Sequence, residues 1–448
     1  MKRDYGMNRK AYNRLFSFVM VSIGSLLVIQ LLTPIQTDHG FLVSRFIVVC
    51  IFIWCVYRGL HEDYYINPYI LFSLTPLSLM IYSDQISNYF LRPLNQRTWI
   101  IAIINMVAFL IAMTLANRKL VLEKNIYKLS FMSVKLSDQS LKIHAIVLFI
   151  IGKIPDLILM ATGIAIPFGH FFSMCQFLGI AVAYKSGFKR LAYVFCGLYF
   201  IVSLLTTFNK TNFLMLTMVL LICLEGEAET KKQRRKVVLF TVLGALFLVV
   251  IAFPLKEFLS RGGSINDFFE SDLNALPAYY AGRITWNGPM QLMMPYMYFT
   301  TPWNNLQYIM ETTREHTYGL WLLKPLLGYI QVAGMIDAYT DLTPYQNAFN
   351  TYGFISVQYI DFGMIGSTIS SIVLGTFVGK VYRRYRHCTD GFNIGCYGLV
   401  ACATLEMFFS NHFFGQSYPF TILIVAWSYG EIGLRMVFGK QLSTNKNM

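Results

Sequence analysis

Residues 98–116 read TWIIAIINMVAFLIAMTLA, nineteen positions without one charged side chain. A helix needs about 20 apolar residues to cross the hydrocarbon core of a bilayer, because only a helix satisfies its own backbone amides there. This stretch therefore predicts a transmembrane helix, and it recurs in both directions along the chain. Spans of the same kind are predicted at 15–34, 41–60, 66–82, 142–163, 171–184, 191–207, 212–224, 237–253, 354–379, 393–413 and 417–436. With 98–116 they make an all-α integral membrane protein of about twelve transmembrane helices.

The composition agrees. The 448 residues are 55% hydrophobic and 13% charged, against roughly 25% charged residues in soluble domains. An even number of spans puts both termini on one side. Short cytoplasmic loops retain Lys and Arg, and the N-terminus carries Lys2, Arg3, Arg9, Lys10 and Arg14. With both termini cytoplasmic, the inner segments hold 27 of the 37 Lys and Arg, and the exported segments hold 8. The net charge of +14 then belongs to loops lying against anionic membrane lipid. No nucleic-acid-binding motif accompanies it, so no nucleic acid is expected as a partner. The first span is read as an uncleaved anchor, for it is long and lacks a small-residue cleavage site. The topology places the protein in a bacterial-type inner membrane.

The chain reads as one polytopic domain, 1–448, without a repeat or low-complexity tract. Its outlier is a large exported loop, 254–353, with 18 aromatic, eight acidic and five basic residues. Such a loop should be folded. Its apolar residues around Met290–Met297 and Leu306–Met310 predict short amphipathic helices on the membrane plane, separated by prolines that include Pro295 and Pro302. All eight cysteines lie outside this loop, so neither a disulfide framework nor a thiolate metal site is expected in it.

No phosphate-binding Gly-rich loop, dinucleotide fingerprint or metal-ligand spacing occurs. A membrane enzyme without nucleotide, metal or other cofactor needs a substrate that is already activated, such as a lipid-linked diphosphate bearing a sugar. The leaving diphosphate asks for cations in a poorly hydrated site. Lys210, in the turn Phe208-Asn209-Lys210-Thr211-Asn212, is one candidate, and a snorkelling interfacial lysine is the plainer reading. In the large loop the candidates are Lys256, Arg261, Arg283, Arg314 and Lys324, with Arg283 flanked by Tyr279, Tyr280 and Trp286. These aromatics, with Trp303, could stack on pyranose rings, although Tyr and Trp gather at any membrane interface. Candidate general bases are Glu311, Glu315 and His316, within six residues of one another, and Asp361 near the start of the tenth span. Lys153 and Asp156 are spaced to pair on one helix face. Arg45 and Glu406 also fall inside spans.

The order of these features resembles the Wzy-type O-antigen and oligosaccharide repeat-unit polymerases. The turn at Lys210 is similar to the family's charged turn, with lysine where arginine is usual, which keeps the charge and loses the bidentate fork. The segments Tyr298–Leu306 and Asn350–Gly353 resemble parts of its loop. Gln358-Tyr359-Ile360-Asp361-Phe362-Gly363-Met364-Ile365-Gly366 resembles its Phe-Gly-x-x-Gly element. The resemblance implies a metal-independent glycosyltransferase with a GT-C-like bundle, acting on two undecaprenyl-diphosphate-linked glycans, donor and acceptor, at the periplasmic face. It also implies a flippase and a chain-length regulator as partners. Two alternatives stay open: an O-antigen ligase, kept alive by His316, and a lipid-linked oligosaccharide flippase or other transporter, for which the embedded charges would be natural.

Overall fold

The computed structural model describes residues 38–82, 93–117, 138–163, 172–205, 210–228, 230, 233, 234, 236, 237, 239, 290–313, 315–321, 351–387, 391–410 and 413. Its helices are α1 (Asp38–Leu60), α2 (Pro68–Phe72), α3 (Leu74–Met80), α4 (Gln96–Asn117), α5 (Asp138–Thr162), α6 (Cys175–Lys185), α7 (Lys189–Leu205), α8 (Lys210–Glu227), α9 (Met290–Thr312), α10 (Phe354–His387) and α11 (Gly391–Leu405), the last running into a 3₁₀ turn at Glu406–Phe408. Among the described residues there is no strand. Five stretches of the described residues are long and apolar enough to cross a membrane: Leu42–Leu60, Gln96–Asn117, Leu141–Thr162, Phe354–His387 and Gly391–Phe408. This is the make-up of an α-helical membrane protein.

The spans expected at 15–34 and 417–436, and nearly all of 237–253, lie outside the described residues. The stretch 66–82 forms two short helices instead of one. Asn67 caps α2 by accepting from the backbone N–H of Tyr69 and Ile70. Pro76 has no N–H to offer the carbonyl four residues back, which explains the interruption at Ser73. The stretch 171–184 yields α6, only 11 residues long, whose residues from Cys175 to Tyr184 are all buried. Wrapped by α5, α7, α8 and α11, it is a central strut.

The tightest pairing is between α4 and α10, which run parallel: Arg97 meets Tyr359 at one end and Asn117 meets Arg386 at the other. Helices in lipid associate through small residues and interhelical hydrogen bonds, and both devices operate here. A Cβ on Gly375 would stand 2.2 Å from the Phe109 carbonyl oxygen, and one on Gly379 2.4 Å from that of Met113. Between these points and the Arg97 end, Ser371 donates to Asn105 Oδ1 at 2.7 Å, and Asn105 donates to Ser367 at 3.3 Å. Ile365, Ile369 and Val373 occupy the outer, exposed face of α10.

The largest departure from the sequence reading concerns the loop. Pro295 and Pro302 do not separate short helices, for both lie inside the single 23-residue helix α9. Nor does α9 expose a polar face between Phe299 and Met310, where every residue is buried or partly buried. Tertiary hydrogen bonds hold it from opposite sides. Trp303 donates to Ser78 at 2.9 Å, Asn305 to the Thr351 carbonyl at 2.8 Å, and Gln307 to the Pro93 carbonyl at 3.2 Å. Those contacts outweigh the backbone bonds that two prolines remove.

The Arg386 end of the bundle is tied by ion pairs and aromatic rings. Glu62 pairs with Arg58 at 2.6 Å and with Arg386 at 3.0 Å. Glu225, fully buried in the last turn of α8 beyond its apolar run, accepts from the backbone N–H of Tyr65 and Ile66. Burial pushes its carboxyl up to about 7, against the downward pull of those two bonds and of the Arg234 charge.

Candidate functional site

At the opposite end, α4, α9 and α10 converge around a break in α10. Gly363 has φ 63° and ψ −161° inside an otherwise helical segment, a left-handed conformation that glycine adopts without steric cost. The loop that follows α9, described over 315–321, docks on the turn of α10 just before this break. The backbone N–H groups of Thr317 and Tyr318 donate to the carbonyls of Ile360 (3.3 Å) and Asp361 (2.9 Å).

His316 is fixed by the same docking. Its Nδ1 lies 3.2 Å from the Ile360 carbonyl oxygen. A carbonyl can only accept, so Nδ1 carries the proton and, in the neutral ring, Nε2 holds the free lone pair. Nε2 faces Gly363, where a Cβ would stand 2.6 Å away. The Tyr359 ring meets the imidazole edge-on, with centroids 5.8 Å apart.

Charged residues lie on the elements that meet at this end of the bundle. Arg97, exposed at the start of α4, donates to the Tyr359 hydroxyl at 3.2 Å. Glu311, in the last turn of α9, is exposed and accepts from Asn95 Nδ2 at 3.3 Å. Glu315 is exposed in the docked loop. One end of the bundle thus presents a guanidinium, two carboxylates, a phenol and an imidazole with a defined tautomer. The guanidinium can pair with an anionic group of a ligand, and the imidazole or a carboxylate can take up a proton beside it.

Of the sequence-predicted set, the structure sets Asp361 against the loop that carries Glu315 and His316, with Glu311 at the end of α9 just before it. Trp303 is not part of this exposed cluster: it is 4% exposed and its indole is committed to Ser78. Lys210 opens α8, and nothing is described of its side chain. Lys256, Arg261, Tyr279, Tyr280, Arg283, Trp286, Arg314 and Lys324 lie outside the described residues. Sequence reasoning passed over Arg97, and met Tyr359 only as a member of the Phe-Gly-x-x-Gly element. Arg97 looked like one more residue before a span, and only its position beside the Phe-Gly-x-x-Gly element 262 residues later, at Tyr359, singles it out. Among the embedded charges, Lys153 and Asp156 do pair, at 2.7 Å, with the Lys153 ammonium 4.4 Å from the Tyr199 ring centroid.

These features define an all-helical protein of the membrane with a polar site at one end of its bundle. No family model, curated protein or solved structure matches the chain.

Proposed function

We propose that the chain is an O-antigen (surface polysaccharide) polymerase, a metal-independent glycosyltransferase joining undecaprenyl-diphosphate-linked repeat units at the periplasmic face of the bacterial inner membrane. The observation that carries this reading is the docking of His316 on the break in α10, with Arg97 held on Tyr359 one turn before it, inside the segment that resembles the polymerases' Phe-Gly-x-x-Gly element. The orientation has its own support. Arg58, Arg234, Arg386 and Lys189 gather at the other end of the bundle, the end that the positive-inside rule assigns to the cytoplasm.

In this reading the acceptor sugar hydroxyl gives its proton to His316 Nε2 while its oxygen attacks the anomeric carbon of the donor. The bond to the diphosphate breaks, and undecaprenyl diphosphate leaves with the electron pair. Arg97, with Lys210 and the cations of the large loop (Lys256, Arg261, Arg283, Arg314), stabilises the charge that develops on the leaving group. A flippase would supply the substrates and a chain-length regulator would limit the product.

The reading is tested by deleting the gene and resolving the surface polysaccharide on a gel. Glycan reduced to a single repeat unit on lipid A core, rescued by the wild-type gene, identifies a polymerase. Because His316 lies in the cluster, a ligase is the second reading, and polymer stranded on its lipid carrier would identify it. Single units held on the cytoplasmic leaflet would identify a flippase.

A further inference from the structure

We propose that Asp361 is a positioning residue, whose carboxylate clasps the 316–321 loop so that His316 presents Nε2 to the helix break. This rests on the reading of His316 as proton acceptor. Asp361 itself is 0% exposed, whereas a general base must come within hydrogen-bond reach of the group it deprotonates. Its Oδ1 accepts from three donors of the loop: the Thr317 hydroxyl, the Gly319 N–H at 3.1 Å and the Trp321 N–H at 2.9 Å. Three donors saturate that oxygen. The adjoining backbone completes the clasp, for Ile360 O receives both Thr317 N–H and His316 Nδ1, and Asp361 O receives Tyr318 N–H.

The loop pays for this arrangement in backbone conformation. Tyr318 has φ 49° and Gly319 φ 95°, two successive left-handed residues that turn the N–H groups of 319 and 321 back onto one oxygen. A non-glycine residue there costs of order 1 kcal/mol or more. Tyr318 is 83% exposed, so its side chain offers little burial in return. The hydrogen bonds to Asp361 are what oppose the cost, and charge-assisted bonds are the stronger kind.

Chemistry and positioning separate in Asp361→Asn, which keeps an oxygen that accepts the three bonds but cannot act as a base. Asp361→Ala removes both. Amide exchange of the 316–321 peptide, read by mass spectrometry on the full-length protein in nanodiscs, reports the clasp without any substrate. Polymer synthesis complemented by the same variants reports the consequence. Losing bonds to a charged acceptor should speed exchange by about ten- to a hundredfold in Asp361→Ala. Polymer should fall to the level of His316→Ala, with membrane abundance unchanged. Asp361→Asn should keep the loop protected and retain polymer within about threefold of wild type. The proposal is overturned if Asp361→Asn is as inactive as Asp361→Ala while its loop stays protected. Unchanged protection in Asp361→Ala would overturn it as well. Absence of polymerase activity in the wild type would instead sink the functional reading, and the exchange contrast would still decide the clasp.

Discussion

His316 lies over Gly363 at a distance that leaves no room for a side chain: a Cβ there would stand 2.6 Å from Nε2 and 3.1 Å from Cε1. Substituting Gly363→Ala therefore combines a clash with an unfavourable left-handed backbone, at a local cost of about 1–3 kcal/mol. The imidazole must move or the break must close. We expect polymer synthesis to drop at least about tenfold while far-ultraviolet circular dichroism of the purified protein stays that of wild type. Full activity in Gly363→Ala would show that the close approach is dispensable.

Arg97 is exposed at the mouth of the site and donates to the Tyr359 hydroxyl at 3.2 Å, a neutral partner that leaves its charge available to an anionic ligand. Arg97→Ala should lower polymer yield at a limiting supply of lipid-linked substrate by about tenfold or more. Arg97→Lys, which keeps the charge without the planar fork, should fall between the two. Tyr359→Phe deletes only the hydroxyl and should cost about threefold at most. Equal effects of Tyr359→Phe and Arg97→Ala would mean that the arginine serves only to hold the tyrosine.

Glu225 predicts a pH dependence of stability. Its folded-state carboxyl is raised from 4.5 to about 7 by burial, so the native state binds the proton more tightly than the unfolded chain. The stabilisation is complete below about pH 4.5 and disappears as the pH rises through about 7, a span worth about 3 kcal/mol at most. Glu225→Gln keeps an oxygen for the Tyr65 and Ile66 N–H groups and removes the titration. The melting temperature of the variant in nanodiscs should be flatter between pH 5 and 8 than that of wild type. A parallel decline in both proteins would assign the dependence to another group.

Lys153 is 3% exposed and pairs with Asp156 at 2.7 Å on α5. Removing one partner strands a charge inside the bundle, at a cost of about 3–5 kcal/mol, so Asp156→Ala should reduce the amount of protein recovered from membranes several-fold. The double substitution Lys153→Met with Asp156→Asn removes both charges and should restore most of it. A double variant no better than Asp156→Ala would argue that the charges themselves are used.

What could be read from the sequence was whatever depends on a run of neighbouring residues. The apolar length of 98–116 suffices to specify α4, and likewise 354–379 for most of α10, because a backbone in lipid has no alternative to its own hydrogen bonds. The three-residue spacing of Lys153 and Asp156 fixed their pairing for the same local reason. The group Glu311, Glu315 and His316 was visible because its members are adjacent in the chain. Position 363 could be recognised as a glycine within Phe-Gly-x-x-Gly, but not as the place where α10 breaks beneath His316.

The tertiary structure decided the rest, since it depends on contacts between distant residues. Pro295 and Pro302 spoke for interruptions, yet α9 runs through both, held by Ser78, Pro93 and Thr351 from outside its own sequence. Arg97 acquired significance only when α4 packed parallel to α10 and set it against Tyr359. Asp361 shows the same division: its residue type offered a base, and the fold surrounded its carboxylate with three donors of a loop 40 to 44 residues upstream. Local sequence decides which helices form, because helix hydrogen bonds close within four residues. Which side chains meet at the site follows from how those helices pack.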